Sequence, residues 1–381
     1  MLKRLFQFHG LKKLSCFLWG ARQVGKSTLL KQLFPHQPCF NLLDPLLFTQ
    51  FTHSPNALKE RLLAMTVGNG PVIIDEVQKI PSLLDVVQLL IDNHGMQFIL
   101  SGSSARKLRR GSGNLLGGRA LRYELHPLTF REIPNFDLLR ALNHGLLPRH
   151  YLENDPREMI YAYVADYLKE EIFAEALVRN QQAFSQFLEK ASFSNAQIVN
   201  YTNIASECGV KSVTVKEYFQ ILEDTLIGQH VPSFALRPKR RVIKAPKFYF
   251  FDIGLANFLS RGGEIIFGSE AFGHAFEHFI FMELSAHSHY SRLRYPISYW
   301  RTSSGLEVDF VLGEAEVVIG VKGTQNVLPY HLKGIRAFQE EYHPKQALVI
   351  SLEKAPRQVE GIHILPWTLF LENLWHGQYI K

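Results

Sequence analysis

Gly20-Ala21-Arg22-Gln23-Val24-Gly25-Lys26-Ser27-Thr28 sets two glycines, a lysine and two hydroxyls within nine positions. Glycine, four residues, then Gly-Lys-Ser/Thr is the spacing of a phosphate-binding loop. The glycines let successive backbone N–H groups turn inward around anionic β- and γ-phosphates. Lys26 adds a point charge, and Ser27 offers a hydroxyl to Mg²⁺. All nine residues are therefore expected to line an ATP site. Val72-Ile73-Ile74-Asp75-Glu76, about 50 positions after Lys26, is an apolar run ending in two acids. In a phosphate-loop ATPase, Asp75 would join Ser27 around Mg²⁺, while Glu76 would orient and deprotonate the attacking water. Strands ending in acids are common, and the partnership with the loop lysine gives this one its meaning.

These groups need a scaffold that brings them together. Leu14–Trp19 ahead of the loop is apolar enough for a short buried strand, and Leu29, Leu30, Leu33 and Phe34 behind it repeat at helical spacing. A helix beginning at the loop would aim the positive end of its dipole at the phosphates. Gly70-Pro71 breaks the chain before Val72–Asp75, which is expected to be a buried parallel strand with its acids at the carboxyl end, where α/β sheets place ligands. Gln97–Ser101 is another buried strand, ending in Ser101-Gly102-Ser103-Ser104. Cys39–Asp44, cut by Pro45, completes an expected set of four parallel strands, and a helix from Ser82 covers one face. Gly111–Arg122 is rich in glycine and arginine. Arg119, after Gly117-Gly118, is the candidate arginine finger, in cis or in trans, whereas Arg109, Arg110 and Arg122 are expected to be solvated loop charges.

The loop, Ile-Ile-Asp-Glu-Val-Gln-Lys-Ile-Pro from Ile73, Leu-Ser-Gly-Ser-Ser from Leu100, and Gly-Gly-Arg-Ala from Gly117 together resemble bacterial and archaeal AAA-type ATPases with a C-terminal domain of unknown function. Lys247-Phe248-Tyr249-Phe250-Phe251-Asp252-Ile253-Gly254-Leu255-Ala256 resembles the same family, so the resemblance covers nearly the whole chain. It implies an AAA-type ATPase fold, ATP hydrolysis and assembly into homo-oligomers. It also implies that a polar side chain at the end of the strand beside the acidic one senses the γ-phosphate. Ser101 is the candidate, with simple capping of a loop as the alternative.

Pro127–Asn180 is helical by pattern, with Tyr151, Leu152, Ile160, Tyr163, Val164, Tyr167 and Leu168 available for packing, and is expected to form a lid or connector. From about Ala183 the pattern becomes helix, helix, turn, helix. Thr202 is expected to cap one helix, Gly209 to break it, and Ser212 to cap a second bearing Val215, Phe219 and Leu222. A strand over Leu226–Val231 and the segment Arg237–Lys247 would then supply a wing, giving a winged helix-turn-helix. Lys211, Thr214, Lys216 and Gln220 are placed to face outward, and Arg237, Lys239, Arg240, Arg241, Lys244 and Lys247 form a basic run. DNA phosphates are one partner for such a surface. Protein docking is the other.

Beyond Lys247 come a helix over 269–287, strands near 297–301, 306–312 and 316–322, a helix over 330–342 and a strand over 347–352. This order is similar to the core of PD-(D/E)xK nucleases. Their chemistry needs a metal between carboxylates, with a lysine two residues beyond an acid on the same strand face. Glu277, Asp309 and Lys322 fit three positions, but Gly320 stands where the remaining acid belongs. Glu316 shares that face ~13 Å further along the strand, and Glu307 shares the face of Asp309. A degenerate, non-cutting nuclease frame is expected. His274 and His278 are four apart without the glutamate of HExxH, and packing or surface roles are expected for them and for His287 and His289.

The 381 residues, 46% hydrophobic and 20% charged, suit a globular protein of several domains. A formal charge of +7 is compatible with a nucleic-acid partner and equally with an ordinary basic protein. Cys16, Cys39 and Cys208 are too dispersed for a disulfide framework or a CxxC metal pair, no apolar run reaches membrane-spanning length, and a cytoplasmic location is expected. The expected architecture is α/β: a P-loop AAA-type parallel-sheet domain (1–132), a helical lid (133–182), a winged helix (183–246) and a restriction-endonuclease-like domain (247–381). The expected activity is Mg²⁺-dependent hydrolysis of the β–γ phosphoanhydride of ATP, coupled to the modules behind it. An ATP-switched DNA-binding regulator and an ATP-dependent nuclease are the alternatives.

Overall fold

The computed structural model describes residues 2–10, 14–65, 70–104, 116–168, 180–236 and 238–381, without the side chains of 166–168. Arg109, Arg110 and Arg237, and the packing roles expected of Tyr167 and Leu168, lie outside the described residues.

The first sheet comprises β1 (Ser15–Trp19), β2 (Cys39–Asn41), β3 (Val72–Asp75), β4 (Phe98–Gly102) and β5 (Ala120–Glu124), ordered β2-β3-β4-β1-β5 and parallel throughout. Every residue of β1, β3 and β4 is buried. Such strands read as continuous apolar runs because helices cover both faces of a parallel sheet. The expected four strands become five. The added β5, Ala-Leu-Arg-Tyr-Glu, is an edge strand with an exposed Arg122, so it lacks the apolar run of the others.

Helix α1 (Lys26–Leu33) leaves the loop after β1, and α2 (Pro45–His53), α3 (Asn56–Ala64) and α4 (Leu83–His94) pack Phe51, Leu58, Leu62, Leu84, Val87 and Leu90 under one face with Phe17, Phe40 and Ile74. Cys16, Leu18, Ile73 and Ile99, on the opposite face, belong to a core that continues into Phe184, Phe187, Phe219 and Phe248 of the next module. The nucleotide-type sheet and the middle of the chain therefore share one apolar core.

That middle begins with α5 (Leu138–His144), α6 (Pro148–Leu152), α7 (Pro156–Ala162) and a π-helical turn over Tyr163–Leu168. Tyr151, Ile160, Tyr163 and Val164 are buried as expected, whereas Leu152 is 53% exposed. Helix α8 (Gln181–Phe193), β6 (Gln197–Ile198), α9 (Tyr201–Glu207), α10 (Ser212–Asp224), β7 (Gly228–Val231) and β8 (Lys247–Phe250) follow. The strands form an antiparallel sheet ordered β6-β8-β7. A boundary at 246/247 would cut this sheet, since β8 is its central strand. The caps also differ from expectation. Asn200, rather than Thr202, accepts the Asn203 N–H at 3.1 Å, and no side chain caps α10. The segment between β7 and β8 lies along the following domain instead of projecting as a free hairpin: Phe234 N–H donates to the Tyr299 carbonyl (2.6 Å) and Ile243 N–H to that of Arg301 (2.9 Å).

The last domain contains α11 (Ile253–Leu259), the long α12 (Glu270–Tyr290), β9 (Ile297–Arg301), β10 (Glu307–Leu312), β11 (Val317–Lys322), α13 (Lys333–Gln339), β12 (Gln346–Ser351), β13 (Arg357–Val359), β14 (Ile362–Pro366) and α14 (Trp367–Trp375). Its sheet runs β13-β14-β12-β11-β10-β9, with β11, β12 and β14 parallel and the remaining pairs antiparallel. The helix expected over 330–342 is a 3₁₀ turn (Pro329–Leu332) followed by the shorter α13, and β13, β14 and α14 were not anticipated. Among the described residues no helix is long and apolar enough to cross a membrane.

Candidate nucleotide site

The carboxyl ends of β1, β3 and β4 converge because β4 lies between the other two. The loop after β1 visits the left-handed region at Gln23 (φ 65°) and Gly25 (φ 100°), and such turns let successive backbone N–H groups face an anion. Glycine tolerates that conformation at 25, whereas Gln23 carries strain of the sort retained at functional sites. At Gly20 the reason for glycine is space, since a Cβ would stand 2.6 Å from the Leu125 carbonyl oxygen. Helix α1 starts without a side-chain cap and without an acid in its first turn, so its N-terminal dipole stays electropositive. The loop is braced from behind: buried Arg4 donates to the Val24 carbonyl (2.7 Å) and pairs with Glu132 (3.0 Å). Arg4 was overlooked in the sequence because nothing in the local pattern links it to residues more than a hundred positions away.

Five of the expected residues meet here. The Lys26 ammonium is buried and donates to the carbonyls of Gly20 (2.7 Å) and Ala21 (3.1 Å). Ser27 Oγ donates to Asp75 Oδ2 (2.6 Å), and Ser101 Oγ donates to Asp75 Oδ1 (2.5 Å). Register Asp75↔Ser101 between β3 and β4 makes that last contact unavoidable. Ser101 thus holds the acid expected to serve the ion, a contact the sensing role does not describe. Glu76, the next residue, sits in the left-handed region (φ 61°) and is buried. Its carboxylate accepts from Gln78 Nε2 (2.5 Å) and Ser103 Oγ (3.4 Å). Gln78 fits because residue 102 is glycine: a Cβ there would lie 2.4 Å from Gln78 Oε1. Gln78 and Ser103 are functional candidates that the sequence reading passed over, although both stand in the motifs it quoted. The donor set fits a Mg²⁺–triphosphate: an ammonium, an uncapped helix N-terminus, and a hydroxyl touching a carboxylate.

Arg119 stands apart. It precedes β5, whose first residue Ala120 pairs with Ser15, at the amino end of β1. The loop leaves the opposite end of that strand, roughly 13 Å away for five residues at about 3.3 Å each. Arg119 instead pairs with Asp92 at 2.7 Å. A finger acting in cis is therefore corrected by the topology, and only a role on another copy remains open to this residue.

A second polar cluster forms where α12, β8, β10 and β11 meet. Glu277, Asp309 and Lys322 do come together, with Lys322 Nζ 3.0 Å from Asp309 Oδ2 and the Val321 N–H donating to the same oxygen (2.6 Å). A Cβ at Gly320 would stand 3.9 Å from Asp309 Oδ2, so a side chain at that position would enter the cluster. The surprise is Lys247. Its buried ammonium lies 2.9 Å from Glu277 Oε1 and 2.8 Å from Glu307 Oε1, and Tyr249 Oη donates to Glu277 at 2.6 Å. Burial opposes the charge on Lys247, but Glu277, Tyr249, Glu307 and Asp309 hold its pKa well above the ordinary lysine range. Burial likewise opposes ionisation of Asp309, whose carboxyl is nevertheless kept low by Lys322 and Lys247. Lys247 and Arg240 are thus corrected as phosphate ligands: the first is buried among acids, and the second pairs with Glu340 (2.5 Å) and Glu341 (3.1 Å). Lys239, Arg241 and Lys244 are exposed. His278 is buried between Phe250 and Asn195, and His274 lies at the surface beside Glu270.

Residues 12–134 match a family model described as an AAA domain, and residues 135–264 and 272–370 match two models described as domains of unknown function, DUF8612 and DUF4143. The N-terminal parallel sheet is thus consistent with a P-loop AAA domain. Similar curated proteins include uncharacterized proteins of Mycobacterium tuberculosis and Mycobacterium bovis, each 26% identical over 302 residues, covering 77% of this chain and 66% of the relative. An uncharacterized Haemophilus influenzae protein is 22% identical over 269 residues, covering 66% of this chain and 64% of its own. The chain thus spans just under two thirds of the length of these relatives. Among solved structures, the Aeropyrum pernix ORC1 protein in complex with DNA aligns with 65% of this chain and 86% of its own at 13% identity and a TM-score of 0.25. A Pyrococcus horikoshii signal-transduction ATPase with a tetratricopeptide repeat sensor aligns with 72% and 44% at 12% identity and a TM-score of 0.21.

Proposed function

We propose that this protein binds ATP with Mg²⁺ at the β1–α1 loop and hydrolyses the β–γ phosphoanhydride, transmitting nucleotide state to the modules behind the AAA domain. The observation that carries this reading is the pair of short contacts on Asp75, to Ser27 and Ser101, beside a buried Lys26 and a strained Glu76. Lys26 would leave the carbonyls of Gly20 and Ala21 for the phosphates, and the loop amides would take the remaining anionic oxygens. Ser27 and Asp75 would hold Mg²⁺, whose charge offsets that of the triphosphate. Glu76 Oε2 would accept the proton of the attacking water, once the hydrogen bonds from Gln78 and Ser103 have set its direction. The shared core between the sheet and α8–α10 supports mechanical coupling of the two modules. Replacing Lys26 with Ala removes a charge-assisted contact worth about 1.5–3 kcal/mol, so ATP should bind at least roughly tenfold more weakly by titration calorimetry. Unchanged affinity would remove the loop from the account.

A winged helix over α8–β8 that contacts DNA is a second reading. It is favoured by exposed Lys211, Lys216 and Gln220 on or beside α10, with Lys239, Arg241 and Lys244 also exposed. For the last domain, a nuclease-like frame that does not cut is supported by the Lys247 ammonium seated between Glu277 and Glu307 and by the missing acid at Gly320.

A further inference from the structure

Strand β5 ends beside the nucleotide loop, with Glu124 in register with Trp19 and the Leu125 N–H donating to the Trp19 carbonyl (2.8 Å). One residue further, His126 meets the last turn of α12. His126 Nε2 and His289 Nδ1 are 2.6 Å apart, and Glu124 Oε1 lies 3.8 Å from His126 Nε2. All three ligand atoms fall within 4.8 Å of one another. The two imidazole planes are inclined at 28°, with ring centroids 4.8 Å apart. The His126 backbone is held on both sides: Tyr290 Oη accepts from its N–H (3.1 Å), and Arg4 donates to its carbonyl (2.6 Å). Beside it opens a cavity of about 290 Å³ lined in part by Glu124, His289, Arg122, Glu223 and Arg292.

We propose that Glu124, His126 and His289 form a Zn²⁺ site that clamps the nucleotide-loop edge of the AAA sheet to helix α12, with a fourth position open to the cavity. Two imidazoles and one carboxylate are the donor set of zinc sites that keep such a position. Imidazole nitrogens about 2.05 Å from a tetrahedral ion are about 3.3 Å apart, so the two rings must separate by about 0.7 Å, a small rotamer adjustment. Metal binding needs both facing nitrogens as lone-pair donors, so in the metal-bound form each ring keeps its N–H on the other nitrogen.

Co²⁺ reports this directly, because tetrahedral nitrogen-ligated Co²⁺ absorbs intensely in the visible, whereas oxygen-ligated octahedral Co²⁺, as at Ser27 and Asp75, is pale. The full chain, stripped with EDTA and free of nucleotide, is titrated with Co²⁺. An intense visible band saturating at one ion per chain, displaced by Zn²⁺, is expected. The band should vanish in His289→Ala and weaken at least tenfold in Glu124→Gln, both of which replace partly exposed side chains. Zn²⁺ should raise the Tm of the wild type and leave that of His289→Ala unchanged. The absence of an intense band would overturn the site and leave a plain His–His hydrogen bond. A band surviving in His289→Ala, or one accompanied by thiolate charge transfer, would overturn it too, by placing the ion elsewhere.

Discussion

At the scale of single residues, polar groups in this protein take their roles from what strand register puts beside them. Asp75 is one such group: its two oxygens are held by hydroxyls from the preceding loop and from the neighbouring strand, so the carboxylate is oriented before any ligand arrives. His278 shows the same logic in a buried base. Its Nε2 lies 2.7 Å from the Phe250 carbonyl and its Nδ1 lies 3.0 Å from Asn195 Nδ2, which fits a neutral ring that donates through one nitrogen and accepts through the other. Burial pushes its pKa down to about 4 from 6.5, against the pull of the Phe250 carbonyl. A base with a depressed folded pKa contributes its full stability above about pH 6.5 and loses it as pH falls toward about 4. At about 1.4 kcal/mol per pKa unit, the loss reaches roughly 3 kcal/mol. The Tm advantage of wild type over His278→Asn should therefore narrow as pH drops from 6.5 to 4. A constant gap across that window would show that His278 does not titrate between the folded and unfolded states.

Elements were legible where a single physical signal sufficed. The strands β1, β3 and β4 announced themselves as apolar runs, and the phosphate loop by glycine spacing. Edge strands β5, with Arg122 and Glu124, and β13, Arg-Gln-Val, carry no such signal, and the short apolar run of β14 (Ile362–Pro366) was missed with them. Contacts between distant segments were also illegible. Lys247 looked like one member of a basic run, yet strand β8 delivers it into the acids of α12 and β10. Arg119 looked like a finger, yet β5 starts at the amino end of the sheet. The same correction sharpens the DNA reading. With Arg240 and Lys247 committed internally, duplex contacts should fall to the exposed Lys211 and Lys216 at α10 and to Lys239, Arg241 and Lys244. A Lys211→Ala/Lys216→Ala/Arg241→Ala variant should lose duplex affinity and show a log K against log salt slope shallower by up to about 3. Equal affinity and slope would turn α10 into a protein-docking or purely structural helix.

At the scale of the molecule, the AAA sheet does not sit on a flexible tether. One of its faces shares a core with α8, α10 and β8, and its last strand meets α12 through the His126–His289 contact. A change at the phosphate loop therefore has two physical routes outward, one through packed aromatic side chains and one along β5. Both depend on nucleotide chemistry taking place at the loop, and Glu76 is the residue on which turnover, as distinct from binding, should hinge. The decisive measurement is steady-state ATP hydrolysis by the full chain with Mg²⁺, made in parallel with ATP affinity, for wild type and Glu76→Gln. The variant should bind ATP with near wild-type affinity and turn it over on the order of 10²–10⁴-fold more slowly, as loss of a general base entails. Hydrolysis by Glu76→Gln at the wild-type rate would contradict the account.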